Sequence, residues 1–241
     1  HAAVTRQLQP RAPTNMKPES PLNALPPVVI ALSLLIILIE VVFQLAEHGL
    51  IGGPRGVGWR ISAVEEYGFS PAVLDLILVR GDYSFDVLKR FVTYPFVNWE
   101  LGQVAFCAAL TLALGKFTAE YYGNLKTLAI YVLTSVVGAV MFGLLASGNF
   151  PLLGGFTPVY GLIGAYTYAI WLRLGQAGEN QILAFRLIGV LLFLQLIFGL
   201  IFGSNMAWIS ELTGFFCGFG LSVLLAPGGW TSFVDRMRQR S

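Results

Sequence analysis

Charged residues are scarce in this sequence. Asp, Glu, Lys and Arg together make up 12% of its 241 residues, whereas 56% are hydrophobic and the mean hydropathy is +0.70. Soluble domains carry a charge at about a quarter of their positions. The composition therefore excludes an ordinary soluble domain and indicates an integral membrane protein.

Histidine and cysteine are almost absent. The two histidines are His1 and His48, and the two cysteines, Cys107 and Cys217, lie inside apolar runs. A disulfide framework and a zinc site are therefore excluded, and histidine-based chemistry inside the membrane is nearly excluded. No phosphate-binding glycine loop or cofactor motif stands out, so we expect neither a metal nor a cofactor. The net charge of +2 is too small and too scattered to indicate nucleic-acid binding.

Long apolar runs dominate what the sequence does contain. A helix of about 20 apolar residues crosses the hydrocarbon core of a bilayer, and an unpaired backbone cannot lie in lipid. Six runs suit such helices, at 25–46, 101–122, 125–147, 157–174, 187–203 and 206–226. We therefore predict an all-α membrane protein built as a bundle of six transmembrane helices.

These runs predict a membrane domain at 25–226 with two flanking segments. The domain includes a long loop at 47–100 between helices 1 and 2, and the flanking segments are an arm at 1–24 and a basic tail at 227–241. Lys and Arg residues lie in both flanking segments and in alternate loops, whereas the loop at 148–156 has none. By the positive-inside rule we predict that both termini are cytoplasmic, in a bacterial inner membrane. The long loop is expected outside, because long loops cross regardless of their charge.

Two parts of the chain offer surfaces for a partner. In the outer loop, apolar residues recur at helical spacing on one side of a short predicted helix. In the arm, basic residues stand among prolines without an apolar period. The partner-binding candidates are Val73, Leu74, Ile77 and Leu78 in the loop and Arg6, Arg11 and Lys17 in the arm. A small folded cap resting on the membrane domain explains the loop pattern about as well.

An ordered set of glycines lies across predicted helices 2, 4 and 6. Its members are Gly115 and Gly123 at the far end of helix 2, the run from Gly154 to Ala165 that contains Gly161 and Gly164, and Gly214-x-x-x-Gly218 in helix 6. Together with the long loop and the stretch from Lys89 to Phe96 before helix 2, this set resembles the rhomboid family of intramembrane serine proteases. The resemblance covers roughly 25–226 and implies that these glycines let the helices approach closely.

The resemblance also implies positions for a catalytic serine, a histidine base and a histidine–asparagine pair that helps to stabilise the oxyanion. In this sequence those positions hold Phe156, Glu211, and the pair Gln103 and Cys107. Thr157 adjoins the serine position, but a shift of one residue along a helix turns a side chain by about 100°. We therefore expect a pseudoprotease that is not an enzyme.

Polar residues inside the apolar runs need partners or water. Glu40, Gln103 and Glu211 lie toward the outer ends of helices 1, 2 and 6. They are interpreted either as one outward-facing cluster or as three residues that reach the interface independently. Gln195, in the middle of helix 5, is expected to form a hydrogen bond between helices.

The sequence thus predicts a non-proteolytic, rhomboid-like membrane protein that binds transmembrane helices of other proteins. Its role would be that of a subunit, or an assembly or stability factor, of a larger membrane complex in the lipid bilayer. The alternative is an atypical active intramembrane protease. A small-molecule transporter is a weaker alternative, because neither paired charges at the membrane midplane nor broken helices in symmetric halves are visible.

Overall fold

The described part of the chain is helical, as predicted. The computed structural model describes residues 25–148, 150–202 and 206–226. Ten α-helices lie in these ranges: α1 (Pro27–Glu47), α2 (Trp59–Tyr67), α3 (Pro71–Leu78), α4 (Phe85–Leu88), α5 (Arg90–Thr93), α6 (Leu101–Tyr122), α7 (Asn124–Leu145), α8 (Phe156–Ala177), α9 (Arg186–Phe202) and α10 (Trp208–Leu225). An isolated antiparallel bridge joins Phe69 to Leu152.

Four of these helices are long and apolar enough to cross a membrane, namely α1, α6, α7 and α10. They coincide with four of the predicted runs. Pro26 and Pro27 stand at the start of α1, where a missing backbone N–H costs nothing. Gly123 separates α6 from α7 at φ +92°, a backbone conformation that suits glycine. The other two predicted runs are helical as well, as α8 and α9.

α8 occupies the centre of the bundle. Its first two turns are almost entirely buried, and it packs against α6, α7 and α10. Glycines make the closest of these approaches, because a Cβ at Gly164 would overlap the carbonyl oxygen of Phe215 and a Cβ at Gly218 would overlap that of Gly161. Gly214 likewise lies against the backbone of Thr157, and Gly115 lies against Val29.

The segment between α1 and α6 folds into short helices that cover one end of the bundle. The short helix predicted around Val73 to Leu78 corresponds to α3. Val73 and Leu74 are buried in a cluster with Phe69, Phe91 and Phe142, and Leu74 lies against α7 at Gly143. These two predicted partner-binding residues are therefore covered by the protein itself, which matches the folded-cap interpretation.

The other candidates for partner binding differ in their surroundings. Ile77 is partly buried against the same cluster, whereas Leu78 is 64% exposed. Arg6, Arg11 and Lys17 lie outside the described residues, as do the arm at 1–24 and the tail at 227–241.

Arg60 on α2 fixes the short helices to α1. Its guanidinium donates hydrogen bonds to Glu40 at 2.9 and 3.0 Å, to Glu47 at 2.6 Å and to the carbonyl oxygen of Asn98 at 2.8 Å. It also lies 5.1 Å from the centre of the Phe43 ring. The hydrogen bond to Glu40 is the largest cause that raises the pKa of Arg60. The guanidinium therefore stays charged and neutralises a carboxylate that is 2% exposed.

Lys89 makes a second, exposed connection between α4 and α2. Its ammonium donates to Asp86 at 2.9 Å and to Glu66 at 3.0 Å. These hydrogen bonds raise the pKa of Lys89 and lower the pKa of both carboxyl groups. Because both acids are well exposed, solvent screens the pair and its contribution to stability is small.

Candidate functional site

The candidate site lies where the turn at Gly154 and Gly155 meets the first half of α6. The Gly154 N–H donates to the carbonyl oxygens of Tyr94 at 3.0 Å and Val97 at 2.9 Å, with φ at +86°. These bonds fix the start of α8 beside the segment that precedes α6. A Cβ at Gly154 would lie 2.9 Å from both Asn98 Oδ1 and Gln103 Nε2, so glycine is required for this close approach.

Gln103 and Cys107 face this turn from α6, as their spacing of four residues predicts. Gln103 Oε1 accepts a hydrogen bond from the Trp99 N–H at 3.2 Å, which directs the side chain. Cys107 is fully buried, and the backbone amide of Gly155 lies within hydrogen-bonding reach of its sulfur. The structure therefore brings both predicted positions to the start of α8.

Phe156 and Thr157 point in different directions at the start of α8, as helical geometry predicts. The Phe156 ring lies 6.1 Å from the Phe106 ring of α6, measured between centroids. Thr157 is 1% exposed, and its hydroxyl donates to Ser210 Oγ on α10 at 2.9 Å. Ser210 in turn donates to the carbonyl oxygen of Ala207 at 2.7 Å. Thr157 thus belongs to the contact between α8 and α10.

Glu211 is held by a hydrogen-bond network that joins three helices. Gln195 Nε2 on α9 donates to Glu211 Oε2, and the hydroxyl of Tyr160 on α8 donates to Gln195 Oε1 at 3.4 Å. The predicted interhelical hydrogen bond of Gln195 is therefore present. Glu211 is 8% exposed, so its carboxyl group is nearly enclosed by these neighbours.

The interpretation of Glu40, Gln103 and Glu211 as one cluster does not match the structure. Glu40 is bound by Arg60 and by Gln44, whose Nε2 donates to Glu40 Oε1 at 2.7 Å. Glu211 is instead bound by Gln195. The reason is that α2 brings a cation to Glu40, and the apolar runs give no indication of that contact. The alternative of three independent interfacial residues is wrong for Glu40, which is buried.

Several polar residues of the site were not singled out from the sequence. Asn98 and Tyr131 are each 1% exposed, and neither Asn98 side-chain atom nor the Tyr131 hydroxyl has a partner among the described residues. Tyr94 is fully buried and donates to the carbonyl oxygen of Ser135 at 3.0 Å, and burial raises the pKa of its hydroxyl. Asn98 could have been singled out from the sequence, because it is a polar residue just before an apolar run.

The described residues contain no group of three His, Cys, Asp or Glu side chains placed to hold a metal ion. The groups of the site include the Cys107 thiol, the side-chain amides of Asn98 and Gln103, the hydroxyls of Thr157 and Ser210, and the Glu211 carboxyl group. Such groups provide hydrogen bonds and, for the hydroxyls and thiol, potential nucleophiles.

Comparison with known families gives a match to this region. A family model described as Rhomboid domain matches residues 86–228, which is more than half of the chain and includes every residue of the site. Comparison with individually curated proteins gives no significant match. The matched family is one of intramembrane serine proteases, and the described residues do not show this member to be inactive. The prediction that the chain is not an enzyme is therefore wrong.

Proposed function

Because the chain belongs to the rhomboid family, we propose that it binds transmembrane helices of other membrane proteins. Its role in this proposal is that of a subunit, or an assembly or stability factor, of a larger membrane complex. The bilayer is its environment, since four helices are long and apolar enough to cross it. Binding of a helix requires a membrane-facing surface of suitable shape, and the observation that carries the proposal is such a surface.

A groove of about 470 Å³ runs between α1 and α6 within the apolar length of both helices. Its α6 wall includes Ala105, Ala108 and Ala109, and its α1 wall includes Ile37 and Val41. Small residues let two helix backbones approach closely, and close packing drives helix association in lipid. The groove therefore fits the side chains of a helix from another protein.

One edge of the groove is polar but carries no unpaired charge. Glu40 and Gln44 line it, and Glu40 is already neutralised by Arg60. A guest helix thus meets no unpaired charge there, and an unpaired charge in lipid is costly. Gln44 remains able to contribute a hydrogen bond to a polar group of the guest.

In this proposal the membrane domain spans the bilayer six times, with α8 and α9 as the fourth and fifth spans. α8 has 22 residues, and its polar groups are shielded by the surrounding helices. α9 has 17 residues and a length of about 25 Å, which a slightly thinned or locally adapted bilayer accommodates. The arm at 1–24 and the tail at 227–241 then lie on the cytoplasmic side of a bacterial inner membrane.

Filling the groove tests the proposal. Ala105 and Ala109 are exposed, so replacing both with leucine fills the groove without disturbing the core. We expect the Ala105→Leu/Ala109→Leu variant to retain clearly less of any membrane protein that co-purifies with the wild type in native nanodiscs. The matched control is Ala31→Leu, because Ala31 is an exposed alanine on α1 outside this groove. A wild-type protein without any membrane partner would contradict the proposal, as would equal retention by all three proteins.

A second candidate function is intramembrane proteolysis, and the hydroxyl pair of Thr157 and Ser210 favours it. These hydroxyls are hydrogen-bonded beside Phe156, the position that the resemblance assigns to the catalytic serine. A fluorophosphonate probe reports on an activated hydroxyl. If this candidate is correct, the probe labels the wild type in liposomes, and Thr157→Val or Ser210→Ala removes the labelling. If the wild type is labelled no more than denatured protein, proteolysis through these hydroxyls is excluded.

A further inference from the structure

Arg186 is the first residue of α9 and lines an open groove of about 330 Å³ between α8 and α9. The other lining residues are Tyr166, Ile170, Leu183, Ala184, Leu187 and Val190. Among the described residues Arg186 has no carboxylate partner and no hydrogen bond. An exposed cation therefore stands beside an otherwise mostly apolar groove.

A second cation is close to the same groove. The Arg173 guanidinium lies 5.2 Å from the centre of the Phe117 ring and 5.6 Å from that of Tyr121. The Phe117 ring in turn contacts Tyr166, with centroids 4.7 Å apart. Arg173 forms no ion pair with a described carboxylate, so stacking on the two rings leaves its N–H groups available to an anion.

The two arginines and the groove together define the chemistry of a ligand. The arginines attract an anion, and guanidinium groups match the geometry of phosphate. The apolar wall of Ile170, Leu187 and Val190 suits a hydrocarbon chain. Glu179, the exposed acidic residue in the connection between α8 and α9, is not among the ion-paired residues of the described ranges. A molecule with an anionic phosphate head and an apolar tail satisfies both parts.

We propose that this groove, with Arg186 at its mouth and Arg173 nearby, is a binding site for an anionic phospholipid of the surrounding bilayer. The phosphate lies at Arg186, and one acyl chain lies along the groove between α8 and α9. Basic pockets between transmembrane helices are known to hold anionic lipid heads. The site lies on the side that the distribution of Lys and Arg assigns to the cytoplasm, where anionic lipids attract basic residues. This inference needs no protein partner, but it rests on the six-span arrangement of the proposed function, which puts α8 and α9 in the bilayer.

Binding at the site is measured by the phospholipid that the purified protein retains. The full chain is reconstituted in mixed bilayers of phosphatidylglycerol and phosphatidylcholine, extracted gently, and examined by native mass spectrometry. We expect the wild type to retain phosphatidylglycerol in preference to phosphatidylcholine. Arg186→Gln should lower that retention about fivefold, which corresponds to the loss of about 1 kcal/mol from one interfacial arginine. Arg186→Lys should lower the preference less than Arg186→Gln does, because the charge remains although the planar geometry of the guanidinium is lost.

Two further variants separate the parts of the proposal. Val190→Trp fills the groove while keeping both charges, and Val190 is 51% exposed, so the substitution does not strain the core. It should lower retention without changing the charge of the protein. Arg80→Gln is the matched control, since Arg80 is an exposed arginine in the segment between α1 and α6. It should leave retention unchanged.

Three results would overturn the proposal. The first is equal phosphatidylglycerol retention by the wild type and Arg186→Gln. The second is an equal loss in Arg80→Gln, which would show that only the net charge of the protein matters. The third is displacement of the lipid by inorganic phosphate, which would show that the site recognises a free anion instead of a phospholipid.

Discussion

Arg60 binds two carboxylates and one carbonyl oxygen, so its removal should be strongly destabilising. Glu40 is 2% exposed and receives two of the guanidinium hydrogen bonds. We expect Arg60→Met to leave this carboxylate buried without its counter-charge and to lower the free energy of unfolding by about 3–5 kcal/mol. Denaturant unfolding in detergent micelles measures the change.

The double variant Glu40→Gln/Arg60→Met is the control for this prediction. It removes both charges together, so most of the lost stability should return. A destabilisation in the double variant as large as in Arg60→Met would show that the Phe43 and Asn98 contacts matter more than the ion pair. The sequence indicates that Glu40 needs a partner, because a carboxylate in an apolar run is costly. It does not indicate which one, since Arg60 is twenty residues away on a helix whose orientation depends on tertiary packing.

The contact between α8 and α10 shows how an element depends on single glycines. A Cβ at Gly164 would overlap the carbonyl oxygen of Phe215 and lie 2.7 Å from the Phe219 nitrogen. Because both neighbours are backbone atoms, only separation of the helices relieves the overlap. We expect Gly164→Ala to lower the unfolding free energy by about 3 kcal/mol, at the upper end of the usual cost of overpacking. The loss would appear in thermal unfolding followed by circular dichroism.

Gly220 offers a matched control on the same pair of helices. It lies on α10, and a Cβ there would meet no atom within 4 Å. Gly220→Ala should be neutral or slightly stabilising, since alanine has the higher helix propensity. Similar destabilisation by the two substitutions would contradict the role assigned to the close approach at Gly164.

Helices could be predicted well from the sequence because their signals are local. The run at 101–122 coincides with α6, since Gly123 and the polar residues before Leu101 end the apolar pattern at both sides. The family resemblance implied that the glycines of helices 4 and 6 let helices approach closely, and both helices use them in the α8–α10 contact. The covered position of Val73 and Leu74 could not be predicted, because an amphipathic face has the same pattern whether it contacts lipid, a partner or α7.

At the scale of the whole molecule, the number of spans decides on which side of the membrane each loop lies. If only α1, α6, α7 and α10 crossed the bilayer, the whole segment from 146 to 207 would lie on one side. If α8 and α9 also cross it, the connection between them lies opposite the loop that follows α7. The position of Glu179 relative to Ser147 therefore distinguishes four spans from six.

Labelling of single cysteines in the full chain measures that position. Ser147 and Glu179 are both exposed, so cysteine at either site should be tolerated in a chain that carries Cys107→Ala and Cys217→Ala. We expect a membrane-impermeant maleimide to label Ser147→Cys in intact spheroplasts and Glu179→Cys only after lysis. Arg173 and Arg186 flank Glu179, so the positive-inside rule places that connection in the cytoplasm. The loop after α7 has no Lys or Arg, so the rule places it outside. Labelling of both cysteines in intact cells would instead establish four spans and would remove the cytoplasmic assignment of the Arg186 groove.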